Sequence, residues 1–180
     1  MKQTAAAVTV ICIATAAVLL ADAPRVSRFA LSQLEARIDG LLDKDTCNVL
    51  GNTRGVYLDN YGAVFTTLVS LRTEVPNPFN NFTPKKIAEI HATKLKMMPA
   101  VREKMRQSLL LMASSSGLDA VPPDEQVVFD VTLFYYTSWE DMHGLPKEIL
   151  MQSSKRKLLD VQQGRVPMTQ LESLLKVQEQ

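Results

Sequence analysis

Four stretches of the 180-residue chain carry an apolar periodicity that predicts a regular element, and they differ in period. Between Val26 and Leu42, Leu31, Leu34, Ile38 and Leu41 recur at spacings of three and four, with Arg28, Glu35, Arg37 and Asp39 on the rest of the turn, which predicts an amphipathic helix within residues 24–46. From Gly55 to Leu71 two strand-like runs flank Asp59-Asn60-Tyr61-Gly62, where Asn and Gly accept positive φ, so a hairpin is expected. Thr83-Pro84 supplies an N-cap followed by proline at the first helical position, and helical spacing then persists to about Ala113. Met98, Val101, Met105, Leu109 and Met112 form its core stripe, Ile87, His91 and Leu95 extend it upstream, and Pro99 is expected to kink or split it. Gln126 to Thr137 alternates as a long central strand with Val127, Phe129, Val131, Leu133 and Tyr135 on one face.

The weaker signals fill in the remainder. The other face of the central strand, Val128, Asp130, Thr132, Phe134 and Tyr136, is too apolar for full exposure, so the N-terminal helix or the C-terminal segment is expected to cover part of it. Thr73 to Pro84 is rich in Pro and Asn and reads as a surface loop, and Ser114 to Asp124 as a linker. Trp139 to Pro146 reads as a loop, Glu148 to Gln152 as a short edge strand, and Ser154 to Gln163 as a helix stopped by Gly164. Thr169-Gln-Leu-Glu172 has capping-box spacing and predicts a last helix through Leu171, Leu174, Leu175 and Val177. The expected fold class is α+β: an antiparallel sheet of three to four strands packed on the long helix, forming a single domain over residues 47–180.

The first 23 residues change the picture from architecture to location. Met1-Lys2-Gln3 leads into an uncharged run, residues 4–21, and Ala21-Asp22-Ala23 offers the small residues of a cleavage site, so residues 1–23 read as a signal peptide or a retained membrane anchor. The expected location is periplasmic or extracellular, or the inner membrane if the segment stays, with membrane contact through residues 4–21. Removing the leader leaves about 155 residues, enough for one sizeable core.

Composition then narrows the functional classes. A hydrophobic content of 46% with 22% charged residues is globular, and a net charge of +1 gives no field that favours nucleic acid. Cys12 lies in the leader and Cys47 in the body, so no disulfide framework is expected, and Cys47 reads first as a small hydrophobe and second as a reactive thiol. With only His91 and His143 as histidines, zinc-type spacing is absent; no metal or cofactor is expected.

Three segments, Val56 to Thr66, Leu145 to Gln152 and Lys157 to Arg165, resemble a family of exported bacterial proteins with no assigned activity. The resemblance implies export and kinship of fold, and it carries no functional residue across.

The candidate chemistry is sparse. Asp59 and Tyr61 at the hairpin tip are placed to hold a ligand or simply to make a turn. Glu140, Asp141 and His143 form an acid/base or metal candidate, or a solvated loop. Asp130 within an apolar strand needs a partner or a shifted proton affinity. His91 on the helix stripe is expected to be satisfied by a backbone carbonyl or to sit at the stripe's margin, with a ligand role as the lesser reading, and Lys155, Arg156 and Lys157 form a basic cluster for anionic lipid or a partner's carboxylates, or a solvated face. The first expectation for function is a noncatalytic envelope protein that binds a protein partner or supports an assembly. The alternative is a small exported hydrolase with a site near Asp59, Asp130 or His143.

Overall fold

The computed structural model describes residues 26–43, 46–73 and 83–180. The expected leader over residues 1–23 and most of the expected loop after Thr73 lie outside the described residues. The elements run α1 (Arg28–Leu42), β1 (Cys47–Leu58), β2 (Gly62–Leu71), α2 (Pro84–Ala113), β3 (Gln126–Phe134), β4 (Glu148–Ser154), α3 (Lys155–Gln162), α4 (Leu171–Leu174) and β5 (Lys176–Glu179).

The fold is α+β with one five-stranded mixed sheet, in spatial order β1-β2-β3-β4-β5. Two parts of the sequence expectation change. The sheet is not wholly antiparallel, because β2 and β3 pair in parallel, from Gly62 opposite Gln126 to Ser70 opposite Phe134. The 30-residue α2 joins them and returns the chain to the end of the sheet from which β2 started, a crossover that only parallel neighbours need. Nor is β4 an edge: the C-terminal residues that read as a helix through Val177 form helix only over Leu171–Leu174, then β5 adds to β4 with Val177 opposite Met151. Thr169 falls inside a 3-10 turn, Met168–Gln170, and does not cap α4.

The hairpin forms as its residues dictate. Asn60 adopts φ 63° and Gly62 φ 134° in the turn between β1 and β2. Gly62 is required twice over, since a Cβ there would also lie 1.9 Å from the Gln126 carbonyl oxygen at the start of β3. Thr83 caps α2 by accepting from the Lys86 N–H at 3.3 Å, and Ser27 caps α1 by accepting from the Ala30 N–H at 3.2 Å. Pro99 does not split α2. It sits on the exposed side of the helix with Leu95, whose carbonyl it deprives of a donor, so water can serve that oxygen.

One core joins the helices to one face of the sheet. Phe65 and Val69 of β2, Phe129 and Val131 of β3, and Ile149 and Met151 of β4 are fully buried with Leu34, Ile38, Met105, Leu109, Met112 and Leu158 from α1, α2 and α3. The methionines of the α2 stripe are therefore core filler. Upstream the stripe departs from expectation: Leu95 is exposed, His91 only half-buried, and the buried line passes through Ile90 and Lys94 instead.

The β1 edge of the sheet is closed by side chains. Asp39 of α1 accepts the Thr53 N–H at 3.0 Å and the Thr53 hydroxyl, and Glu35 accepts the Gly55 N–H at 2.7 Å. Arg28 grips Glu35 and donates to the Gly55 carbonyl at 3.0 Å. Carboxylates on a helix thus take the outward strand donors that would otherwise recruit another strand.

Candidate functional site

The second face of the sheet is the unusual feature. Register puts Val56, Val64, Val128, Gln152 and Lys176 in one row across the five strands. The next row holds Arg54, Thr66, Asp130, Leu150 and Gln178, and the row after it Leu68, Thr132 and Glu148. The sequence expectation that the N-terminal helix or the C-terminal segment covers this face is not met: α1 packs into the core on the opposite face, and β5 extends the sheet sideways. Val128 in the middle of the face is buried and Val64 and Leu150 are half-buried, but Leu58, Val56, Leu68, Phe134 and Tyr136 remain 37–48% exposed there and at its margin. The Phe134 and Tyr136 rings meet edge-on at 5.1 Å, and Tyr136 stacks on Trp139 at 5.6 Å, so an aromatic ridge continues the face past the end of β3.

Asp130 lies at the centre of this face. Its Oδ1 is buried without a hydrogen-bond partner, and burial, followed by the neighbouring Glu148 carboxyl, pushes its pKa up to about 6. The charged side chain in its own row is Arg54, two strands away, with Thr66 and Leu150 as immediate neighbours. An unsatisfied carboxyl oxygen on a partly exposed sheet face is a strong acceptor for a donor brought by another molecule.

The ridge is held in place by a buried polar clamp that sequence reasoning missed. Lys94 Nζ lies 2.6 Å from Glu140 Oε2, with 4% and 3% of the two side chains exposed, and 5.1 Å from the centre of the Tyr135 ring. The Tyr135 hydroxyl donates to the Pro146 carbonyl at 2.9 Å, and burial raises its pKa. His91 Nε2 contacts the His143 carbonyl oxygen at 2.7 Å, which meets the expectation that a backbone carbonyl satisfies this imidazole. These bonds tie the connection between β3 and β4 to the first half of α2. A lysine on an otherwise apolar helical stripe, four residues before Met98, is the only trace of the clamp in sequence, and its partner stands 46 residues away.

The hydrolase candidates are spread along the sheet rather than brought together. Asp59 is on the hairpin turn, at the end where Gly62 pairs with Gln126; Asp130 is mid-strand; His143 lies in the connection beyond Phe134. At about 3.3 Å per residue, β3 alone separates the two ends by roughly 25 Å. Glu140, Asp141 and His143 also part company: Glu140 is buried on Lys94, while Asp141 accepts the His143 backbone N–H at 2.9 Å and makes a local turn. No group of three or more metal-ligating side chains occurs among the described residues.

The basic cluster is dismantled too. Lys155 is buried, and its Nζ donates to the carbonyls of Leu118, Asp119 and Val121 at 2.7, 3.3 and 2.9 Å, with burial lowering its pKa. Arg156 pairs with Asp124, and Lys157 is exposed and makes no ion pair among the described residues. Cys47 is fully buried and its thiol pKa is raised by that burial, as suits a small hydrophobe.

Among the described residues no helix is long and apolar enough to cross a membrane. Compared with protein-family models, curated proteins and solved structures, the chain finds no match.

Proposed function

We propose that this protein is an exported, noncatalytic component of the cell envelope that binds a protein partner across the open face of its sheet. The observation that carries the reading is the exposed run of Val56 on β1, Leu68 on β2, and Phe134 and Tyr136 at and beyond the end of β3, on the side of the sheet opposite the packed core. Large aromatic side chains clustered on a rigid surface are what protein interfaces use as anchors. The acceptor at Asp130 adds specificity, favouring a partner that places a lysine or arginine among its own apolar residues. The leader over residues 1–23 supports a periplasmic or extracellular location, or retention in the inner membrane through residues 4–21.

Two measurements test it. Intact mass in the soluble and membrane fractions of the native cells locates the protein: a full-length species in the cytoplasmic fraction contradicts export. Crosslinking in cells followed by purification, with the wild-type chain beside Leu68→Ser/Phe134→Ser, tests the surface. A specific crosslinked partner lost in the variant is expected, and equal recovery by both chains contradicts the assignment.

A further inference from the structure

The hairpin tip, the start of β3, the end of β4 and the C-terminal segment border an open surface cleft of about 500 Å³ at the end of the sheet farthest from the aromatic ridge. Its lining includes Tyr61, Gln126, Gln152, Ser154, Lys157 and Lys176, and no carboxylate. Neither Lys157 nor Lys176 makes an ion pair among the described residues, so two lysines line one small space whose lining holds no carboxylate. The remaining lining offers what a hydroxyl-rich ligand needs. Gln152 and Gln126 carry amides that both donate and accept, Tyr61 Oη sits 3.4 Å from Gln152 Oε1, and the half-exposed Tyr61 ring gives a flat apolar wall. Ser154, at the N-cap of α3, makes no side-chain capping bond, so its hydroxyl is not committed there. The volume suits a ligand of one or two sugar rings, near the lower half of the range typical of small-molecule sites.

We infer that this cleft binds a small anionic polyol, a sugar bearing a phosphate or carboxylate group, with Lys157 and Lys176 on the anion and Tyr61, Gln126, Gln152 and Ser154 on the hydroxyls. The reading goes beyond partner binding at the open face and stands on different residues, apart from Gln152 and Lys176, which border both. Two lysines rather than an arginine fork suit an anion recognised as a point charge. The ligand's specificity lies in the hydroxyl contacts.

The test uses the full-length chain and follows backbone amide shifts of Tyr61, Gln152 and Lys157 by NMR during titration with glucose 6-phosphate, glucose, glucuronate and inorganic phosphate. Saturable shifts confined to the cleft are expected for glucose 6-phosphate or glucuronate, with affinity at least about tenfold above that of glucose and of inorganic phosphate. Lys157→Gln/Lys176→Gln should weaken binding at least about tenfold at an unchanged thermal midpoint, since both side chains are exposed. Tyr61→Phe, which removes only a hydroxyl, should weaken it by about threefold. Equal affinity for glucose and its phosphate overturns the proposal, as does the absence of saturable shifts with any of the four probes. Lysine-dependent binding to phosphatidylglycerol vesicles without binding of soluble anions also overturns it, in favour of a lipid surface.

Discussion

The two faces of the sheet are built from the same strands yet have opposite fates. On β2 and β3, Phe65, Val69, Phe129 and Val131 are sealed under three helices, while Leu68, Thr132 and Phe134, one residue out of phase, face outward. Alternation accounts for the first set, because strand side chains project to opposite sides and one side is needed for the core. It does not account for the second. A half-solvated sheet normally shows polar residues outward, and leucine, valine and an aromatic ridge in that position are better matched to a second surface than to water. The β1 edge makes a second contrast: its outward donors are taken by Glu35 and Asp39, whereas among the described residues no helix lies over the open face.

Substitutions that separate the faces test this contrast, and the largest effect belongs to the covered one. Phe129→Ala should cost about 4 kcal/mol in chemical denaturation, since it leaves a cavity between helices and sheet. Next comes the clamp that supports the aromatic ridge. Lys94→Met strands the buried Glu140 and should cost about 3 kcal/mol, whereas Lys94→Met/Glu140→Leu should recover most of that loss; a double variant no more stable than the single one would mean that the pair is not coupled. A smaller loss, about 1–2 kcal/mol, is expected for Glu35→Ala, which frees the Gly55 N–H and the Arg28 guanidinium together, and size-exclusion chromatography should then show more self-association through the uncovered β1 edge.

The smallest effect falls on the open face and shows as pH dependence. Asp130 has its pKa raised to about 6 in the fold, so its contribution favours the folded state below pH about 4 and is lost as pH rises through about 6. Replacing Asp130 by Asn should flatten the stability profile between those limits and leave the variant slightly more stable than the wild type at pH 7. A profile unchanged by the substitution would show that the carboxyl titrates as it does in water.

Local signals in the sequence located most of the elements. Asn60-Tyr61-Gly62 set the hairpin, Thr83-Pro84 started α2, Gly164 with φ 73° ended α3, and alternation marked β3. What escaped depends on residues far apart. The parallel pairing of β2 with β3 follows from where α2 lands on the sheet, and the spacing of Leu171, Leu174, Leu175 and Val177 fits a helix until β4 offers Val177 a partner strand. The candidate sites were less legible for the same reason. Lys94 carried no signal of its partner, Lys155 read as part of a basic cluster or a solvated face, and only the folded chain brings Glu140 to one and three carbonyls to the other. Asp130 was marked by its apolar neighbours alone, and in the fold burial raises its pKa. The cleft beside Tyr61 draws on residues from positions 61 to 176, a separation that no local pattern spans.

The central claim is that the open face, and not the helical one, meets a partner. Its most direct test places a photo-crosslinking phenylalanine analogue at Thr132, on the open face, or at Lys96, on the exposed side of α2, and irradiates living cells that express each chain. A discrete adduct of higher mass from position 132, absent from position 96, is the predicted result. Adducts from position 96 with none from 132 would contradict the account.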